Sequence, residues 1–108
     1  MTDKIVVFVT CAEEEEAARI ARRLVENRLA ACVNILAGAR SIYRWRGAVE
    51  EASEWLLIIK SRCGLAAAVV AEIEAQHSYE VPEVLALPVV DGSEKYLAWM
   101  EQELAPEA

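Results

Sequence analysis

HSYEVPEVLALPV, the segment from His77 to Val89, decides how the second half of the chain folds. It contains the only histidine and two of the three prolines. Pro82 favours extended backbone at Val81, the residue before it. The polar half of the segment is therefore expected to be extended and rigid. The apolar run that follows it predicts a strand over 84–90. Because histidine is the commonest metal ligand and changes its charge near neutral pH, the same segment holds the first candidate for a functional site.

Upstream of this segment, the apolar pattern alternates between strands and helices. Lys4 to Val9 predicts a buried strand, and Thr10 with Glu13 predicts a capping box that starts a helix. That helix carries apolar residues at helical spacing through Val25. Leu29 to Leu36 predicts a second strand, which is apolar nearly throughout and is therefore expected to be covered on both faces.

The middle of the chain predicts a long hairpin. The sequence from Ala37 to Ala39 predicts a bulge or bend, and Ser41 to Arg46 then alternates as a strand. Gly47 with Ala48 to Ala52 predicts a turn, and Ser53 to Ser61 predicts the returning strand. Such a hairpin is longer than one small sheet requires, so we expect it to meet a partner surface.

A second helix from Leu65 to Gln76 and a last helix capped by Asp91 or Ser93 complete the pattern. The order β-α-β-β-α-β with a C-terminal helix predicts an α+β, ferredoxin-like sandwich, in which two helices cover one face of an antiparallel four-stranded sheet. The length of 108 residues predicts one domain over 1–108.

Composition limits the possible partners. The net charge of -7 argues against nucleic acid, which needs a basic face. No apolar run approaches the length of a membrane span, and no secretory signal is evident, so we expect a soluble cytoplasmic protein. With 56% apolar residues in a small domain, burial against further copies of the chain is expected.

Histidine and carboxylates suggest a metal site in the opening segment. His77, Glu80 and Glu83 are the natural ligands, but an extended segment from His77 to Glu83 spans roughly 20 Å. A shared ion therefore needs a bend or a second subunit. The alternative is architectural, with His77 ending the second helix and bonding a backbone group.

Other reactive groups give weaker signals. Cys11, at the junction of strand and helix, is either a thiol activated by the helix N-terminus or a small buried filler. The glutamates at 13–16 are best explained as helix initiation, because consecutive helical residues point in different directions. No nucleophile elbow or phosphate loop is present, so we expect no enzyme activity.

Several stretches that together cover nearly the whole chain form a specific pattern. They comprise Leu24 to Glu26, Leu29 to Ile35, Ser41 to Trp45 with Gly47, Glu54, Lys60 with Ser61, His77 with Tyr79 to Glu83, and Tyr96, Leu97 and Trp99. Taken together and in this order, they resemble the divalent-ion tolerance protein family CutA. The resemblance implies a ferredoxin-like subunit in a tight homotrimer, with long hairpins pairing between subunits.

The resemblance also implies two kinds of function. In the first, the trimer takes part in tolerance to copper and other divalent cations and binds copper(II) or another divalent metal weakly, with His77 and Glu83 at the positions linked to metal. The cysteine implicated in some members would fall at Val9. In the second, it is similar to PII signalling proteins and binds a polar or anionic small molecule in an interface cleft near Tyr43, Lys60 and Tyr79.

Overall fold

Alternating apolar residues build a four-stranded antiparallel sheet. The computed structural model describes residues 1–106. Its strands are β1 (Lys4–Cys11), β2 (Cys32–Trp45), β3 (Ala48–Arg62) and β4 (Leu85–Pro88). They lie side by side in the order β2-β3-β1-β4. Its helices are α1 (Glu14–Glu26), α2 (Ala66–Gln76) and α3 (Glu94–Glu103). The β-α-β-β-α-β order confirms the predicted ferredoxin-like α+β fold.

One face of the sheet carries the core. Alternate residues of the two central strands, among them Val7, Val9 and Leu57, are buried against α1 and α2. Ile20 and Ile73 are the fully buried helix residues that meet them. Each such side chain stabilises the fold by about 1.5–3 kcal/mol, so this layer holds the monomer together.

The opposite face of the sheet is open over its central part. Directly opposed residues of neighbouring strands share a face, and Val6 opposes Leu87 while Phe8 opposes both Ile58 and Leu85. Leu85 is 58% exposed and Leu87 is 42% exposed. The expectation that the second strand is covered on both faces therefore fails within one chain, where Leu36 is 44% exposed.

The hairpin is tighter and longer than its sequence suggests. A register shift between Leu36 and Ala39 confirms the predicted bulge, and Gly38 there has φ +83°. The turn itself is only Arg46 and Gly47, both with positive φ, as two-residue hairpin turns require. The predicted turn over 48–52 is wrong, because these residues pair with 41–45 and extend β3.

Helix ends follow the sequence in two places and depart from it in a third. Asn27 is the C-cap of α1, and the Ser93 hydroxyl caps α3 by accepting from the Tyr96 amide. The capping box is wrong, since Thr10 belongs to β1 and α1 begins after Glu13 without a side-chain cap. Pairing of β1 with β3 continues through Cys11, which keeps Thr10 in the sheet.

The C-terminal helix α3 is fastened to one end of the sheet. Met100 and Leu104 are buried there, and Glu101 forms ion pairs with Lys4 at 2.8 Å and with Arg62 at 3.2 Å. The bond from Lys4 lowers the pKa of the Glu101 carboxyl. In residues 1–106, no helix has the length and apolar character needed to cross a membrane.

Candidate functional site: a buried thiol, imidazole and carboxylate beside an acidic cleft

Side chains from three chain segments meet in a buried cluster at the C-terminal end of β1. Cys11 ends that strand, Glu16 lies in the first turn of α1, and His77 follows α2 as its extended C-cap. One potential ligand atom from each residue lies within 4.8 Å of the other two. Cys11 and the His77 side chain are both 0% exposed. We call these residues the buried cluster.

The imidazole of His77 is held at both nitrogens. Nε2 lies 2.8 Å from the Thr10 carbonyl oxygen and 3.7 Å from Cys11 Sγ. The Tyr79 backbone N–H donates to Nδ1 over 3.1 Å. Because Nδ1 accepts, a neutral ring must carry its proton on Nε2 and donate it to Thr10.

Glu16 brings a carboxylate to this ring, and Arg19 lies 4.0 Å from Oε2, one of the two oxygens of that carboxylate. The other oxygen, Oε1, is buried without a hydrogen-bond partner and lies 3.3 Å from Nδ1 of His77. Since the Nδ1 lone pair already accepts from Tyr79, the neutral ring has no proton to offer Glu16. A buried polar atom left without a partner costs about 1–3 kcal/mol, and more when it is charged. The buried Oε1 is therefore short of one hydrogen-bond donor.

The same surroundings keep the thiol protonated. Burial, followed by the charges of Glu16 and Glu54, raises the pKa of Cys11 to about 12. A free thiolate is thus disfavoured at neutral pH, and the hypothesis of a thiol activated by the helix N-terminus finds no support in the free protein. The negative field that raises this pKa also favours a cation in the cluster.

A cleft of about 800 Å³ lies next to the cluster, between the hairpin and the segment 79–83. The Tyr79 hydroxyl donates to Glu54 over 2.6 Å, and burial together with this bond raises the pKa of Tyr79. Burial and the nearby Glu54 charge likewise raise the pKa of Glu83. The lining consists of Thr10, Ser41, Ile42, Tyr43, Arg44, Trp45, Glu50, Glu54, Tyr79, Glu80, Val81, Pro82 and Glu83.

The predicted site residues fall in three places. His77 lies in the buried cluster, whereas Glu83, Tyr43 and Tyr79 line the cleft. The close group of ligand atoms found within residues 1–106 does not include Glu83. Lys60 lies on the open sheet face opposite Val6 and bonds Asn34, away from the cleft lining.

Sequence reasoning missed Glu16 as a site residue. Its side chain is only 11% exposed, whereas Glu13, Glu14 and Glu15 are exposed. The available signal was its position five residues after Cys11, which brings the first helical turn back over the strand end. Because consecutive helical residues point in different directions, one glutamate of the run is expected to face inward. Which of the four it is depends on the angle at which α1 packs on the sheet.

The fold and this site define a class: a ferredoxin-like protein with a buried thiol–imidazole–carboxylate cluster beside an acidic cleft. The family model described as CutA1 divalent ion tolerance protein matches residues 5–103. The chain therefore belongs to the CutA1 divalent ion tolerance family.

Individual relatives agree with this assignment. The divalent-cation tolerance protein CutA of Thermus thermophilus is 46% identical over 97 residues, covering 90% of this chain and 94% of that protein. Human protein CutA is 50% identical over 95 residues, which are 88% of this chain and 53% of that protein. This chain thus spans about half the length of its plant and mammalian relatives.

Solved structures show the same fold. The Thermus thermophilus divalent cation tolerance protein superposes with a TM-score of 0.92 at 44% identity, covering 94% of this chain and 99% of that one. CutA from Xylella fastidiosa gives a TM-score of 0.93 at 39% identity, covering 96% of this chain and 100% of that one.

Proposed function

We propose that this protein binds a divalent cation, copper(II) or another, through His77, and that this binding underlies a role in divalent-cation tolerance. The observation that carries the proposal is the buried Glu16 Oε1, which lies 3.3 Å from the His77 ring without a hydrogen-bond donor. A cation at the imidazole can fix the ring proton on the nitrogen that faces this oxygen, which supplies the missing donor. The family description, divalent ion tolerance, supports the same conclusion.

The chemistry of the residues fits such an ion. Neutral imidazole is a good ligand for copper(II), zinc and nickel, and a nearby carboxylate adds attraction at low dielectric. The His77 side chain is fully buried, so an ion can reach it only when the structure around it opens locally. We therefore expect weak or slow binding, and we propose no enzymatic step.

Replacing His77 tests the proposal directly. In isothermal titration calorimetry with zinc or copper(II) chloride, we expect wild type to bind the metal. We expect His77→Ala to bind at least about 100-fold more weakly, because the loss of a residue that only orients a metal ligand already weakens binding by up to about 100-fold. Ser78→Ala, a change at the exposed neighbouring position, is the control and should bind as wild type does. Equal binding by His77→Ala and wild type would sink the proposal.

We also propose that the protein is a homotrimer, as the family resemblance implies. The open face carries five apolar residues, Val6, Phe8, Ile58, Leu85 and Leu87, of which the last two are exposed and the other three only partly buried in the described part of the chain. Contiguous apolar patches of this kind mark interfaces between proteins. Copies of the same chain are the occupants that the excess of apolar residues predicts.

The cleft supports a second candidate function, the sensing of a small molecule. Its lining includes four glutamates, Glu50, Glu54, Glu80 and Glu83, whereas its only basic residue is Arg44. Of the polar or anionic ligand that was expected, this lining disfavours an anionic one and favours a polar one that is neutral or cationic. Tyr43 and Tyr79 are aromatic lining residues that can receive an organic cation, whereas the Trp45 ring already carries the Arg46 guanidinium at 5.2 Å.

Thermal-shift measurements with metal chelated away test this second function. An organic amine that occupies the cleft is expected to raise the Tm by roughly 4–8 °C for each kcal/mol of binding energy. Glu54→Gln should remove the shift, whereas Glu51→Gln, outside the cleft lining, should keep it. No shift with any of a panel of amines and neutral polar metabolites would count against a sensing role.

Where in the cell the protein works also stays a proposal. We propose the cytoplasm, where a reducing environment keeps cysteines such as Cys11, Cys32 and Cys63 free. Relatives carry the descriptions chloroplastic and periplasmic, so family membership alone does not fix the compartment.

A further inference from the structure

We propose that Cys11 Sγ and His77 Nε2 are the protein ligands of a zinc-type ion, and that the Glu16 carboxylate orients the imidazole from its other nitrogen. This inference rests on the proposed binding of a divalent cation at His77 and names its ligands and its class. It follows from the positions of three side chains that lie on different elements and converge in the interior.

The distance between sulfur and nitrogen suits one ion. Cys11 Sγ lies 3.7 Å from His77 Nε2. Zinc lies about 2.3 Å from a thiolate sulfur and about 2.0–2.1 Å from an imidazole nitrogen, so a tetrahedral angle places the two ligand atoms about 3.6 Å apart. The observed separation therefore needs almost no movement of either side chain.

Metal binding at Nε2 also resolves the unsatisfied carboxylate. A neutral ring that ligates through Nε2 carries its proton on Nδ1, which faces Glu16 Oε1 at 3.3 Å. The ring then donates to Glu16, and the orphaned oxygen acquires its hydrogen bond. This is the carboxylate–histidine–metal arrangement by which proteins fix the ligand tautomer.

Two neighbours must adjust when the ion enters. The Tyr79 amide, which donates to Nδ1 in the free protein, loses that acceptor. The Thr10 carbonyl loses the Nε2 proton and becomes the nearest oxygen available as a further ligand. Thr10 and Tyr79 both line the acidic cleft, so the cleft is the route by which a cation reaches the cluster.

The ligand types select the class of ion. Thiolate and imidazole suit zinc, and cobalt(II) substitutes for it, whereas magnesium and calcium prefer oxygen ligands. The incoming ion replaces the thiol proton, which leaves to solvent, since a coordinating thiol is deprotonated outright. The charges of Glu16 and Glu54 then stabilise the bound cation.

Cobalt(II) absorption spectroscopy tests the thiolate, and the three cysteines of the chain provide matched controls. Wild type, Cys32→Ser and Cys63→Ser titrated with cobalt(II) chloride should all show a sulfur-to-metal charge-transfer band in the near ultraviolet. Cys11→Ser and Cys11→Ala should lack it. Zinc should abolish the band by displacement, whereas a large excess of magnesium should leave it.

Different outcomes overturn different statements. Cobalt(II) binding without the band in wild type would refute Cys11 as a ligand while leaving cation binding at His77 intact. No binding of cobalt(II), zinc or copper(II) would refute both. A band lost in Cys63→Ser and kept in Cys11→Ser would place the thiolate elsewhere and overturn the inference.

A second measurement keeps the inference testable if the Cys11 variants fold poorly. X-ray absorption of the zinc-loaded wild type should show one sulfur at about 2.3 Å and nitrogen or oxygen at about 2.0–2.1 Å. A shell of nitrogen and oxygen alone would overturn the assignment. Glu16→Gln should weaken zinc binding by about 10–100-fold without removing the sulfur from the shell, as expected for an orienting partner.

Discussion

Ile58→Asp is expected to convert the proposed homotrimer into monomers. Ile58 lies in the middle of β3 on the open face of the sheet, opposite Phe8 on one side and Asn34 on the other. In a trimer that buries this face, the change places one carboxylate per chain in a low-dielectric interface without a partner. The effective penalty is several kcal/mol for each buried ion, and threefold symmetry repeats it in every copy.

Light scattering during size-exclusion chromatography measures this effect. Wild type should give three times the chain mass of 12.0 kDa, and Ile58→Asp should give the single mass. Leu87→Asp, on the edge strand and already 42% exposed in one chain, is a second variant that a folded monomer tolerates more easily. Val25→Asp on α1, in the helical layer, should leave the trimer intact. A wild type of single-chain mass would contradict the proposed assembly.

Leu57→Ala is expected to lower the free energy of unfolding by about 2–5 kcal/mol. Leu57 is fully buried on the central strand β3, between Val9 on one neighbouring strand and Ile35 on the other. Removing its side chain leaves a cavity under the two helices that the rigid sheet cannot close. Because domains are stable by only about 5–15 kcal/mol, the loss is a large part of the total.

Urea denaturation followed by circular dichroism measures this loss. Unfolding of a trimer depends on protein concentration, so wild type and variant must be compared at equal chain concentration. Val90→Ala, at a position 71% exposed, should change stability by less than about 0.5 kcal/mol. A similar loss in both variants would show that the core layer does not dominate stability.

Tyr79 connects the buried cluster to the cleft. Tyr79 donates its amide to His77 and its hydroxyl to Glu54, and its ring lies 4.6 Å from the imidazole, centroid to centroid. A change in the His77 tautomer therefore alters a bond that holds the wall of the cleft. A cation in the cluster and a ligand in the cleft are expected to influence each other through this residue.

Local patterns predicted most of the fold because they depend on neighbours in sequence. The spacing of apolar residues predicts α1, α2 and the central strands, and residue type limits the cap of α3 to Asp91 or Ser93, of which the structure shows Ser93. The prediction failed where pairing overrode local preference. Residues 48–52 extend β3 because a two-residue turn at Arg46 and Gly47 brings them directly opposite β2.

The sequence by itself determined the order of helices and strands and the resemblance to the family, and it made His77 the first candidate site residue. Only the tertiary structure decided the neighbours of that histidine. Sequence proximity suggested Glu83, but extended backbone after α2 carries Glu83 into the cleft, while the docking of α1 on the sheet brings Glu16 and Cys11 to the ring. These contacts join residues up to 66 positions apart in the sequence. Contacts between residues so far apart depend on how the helices pack on the sheet, which no local sequence pattern reveals.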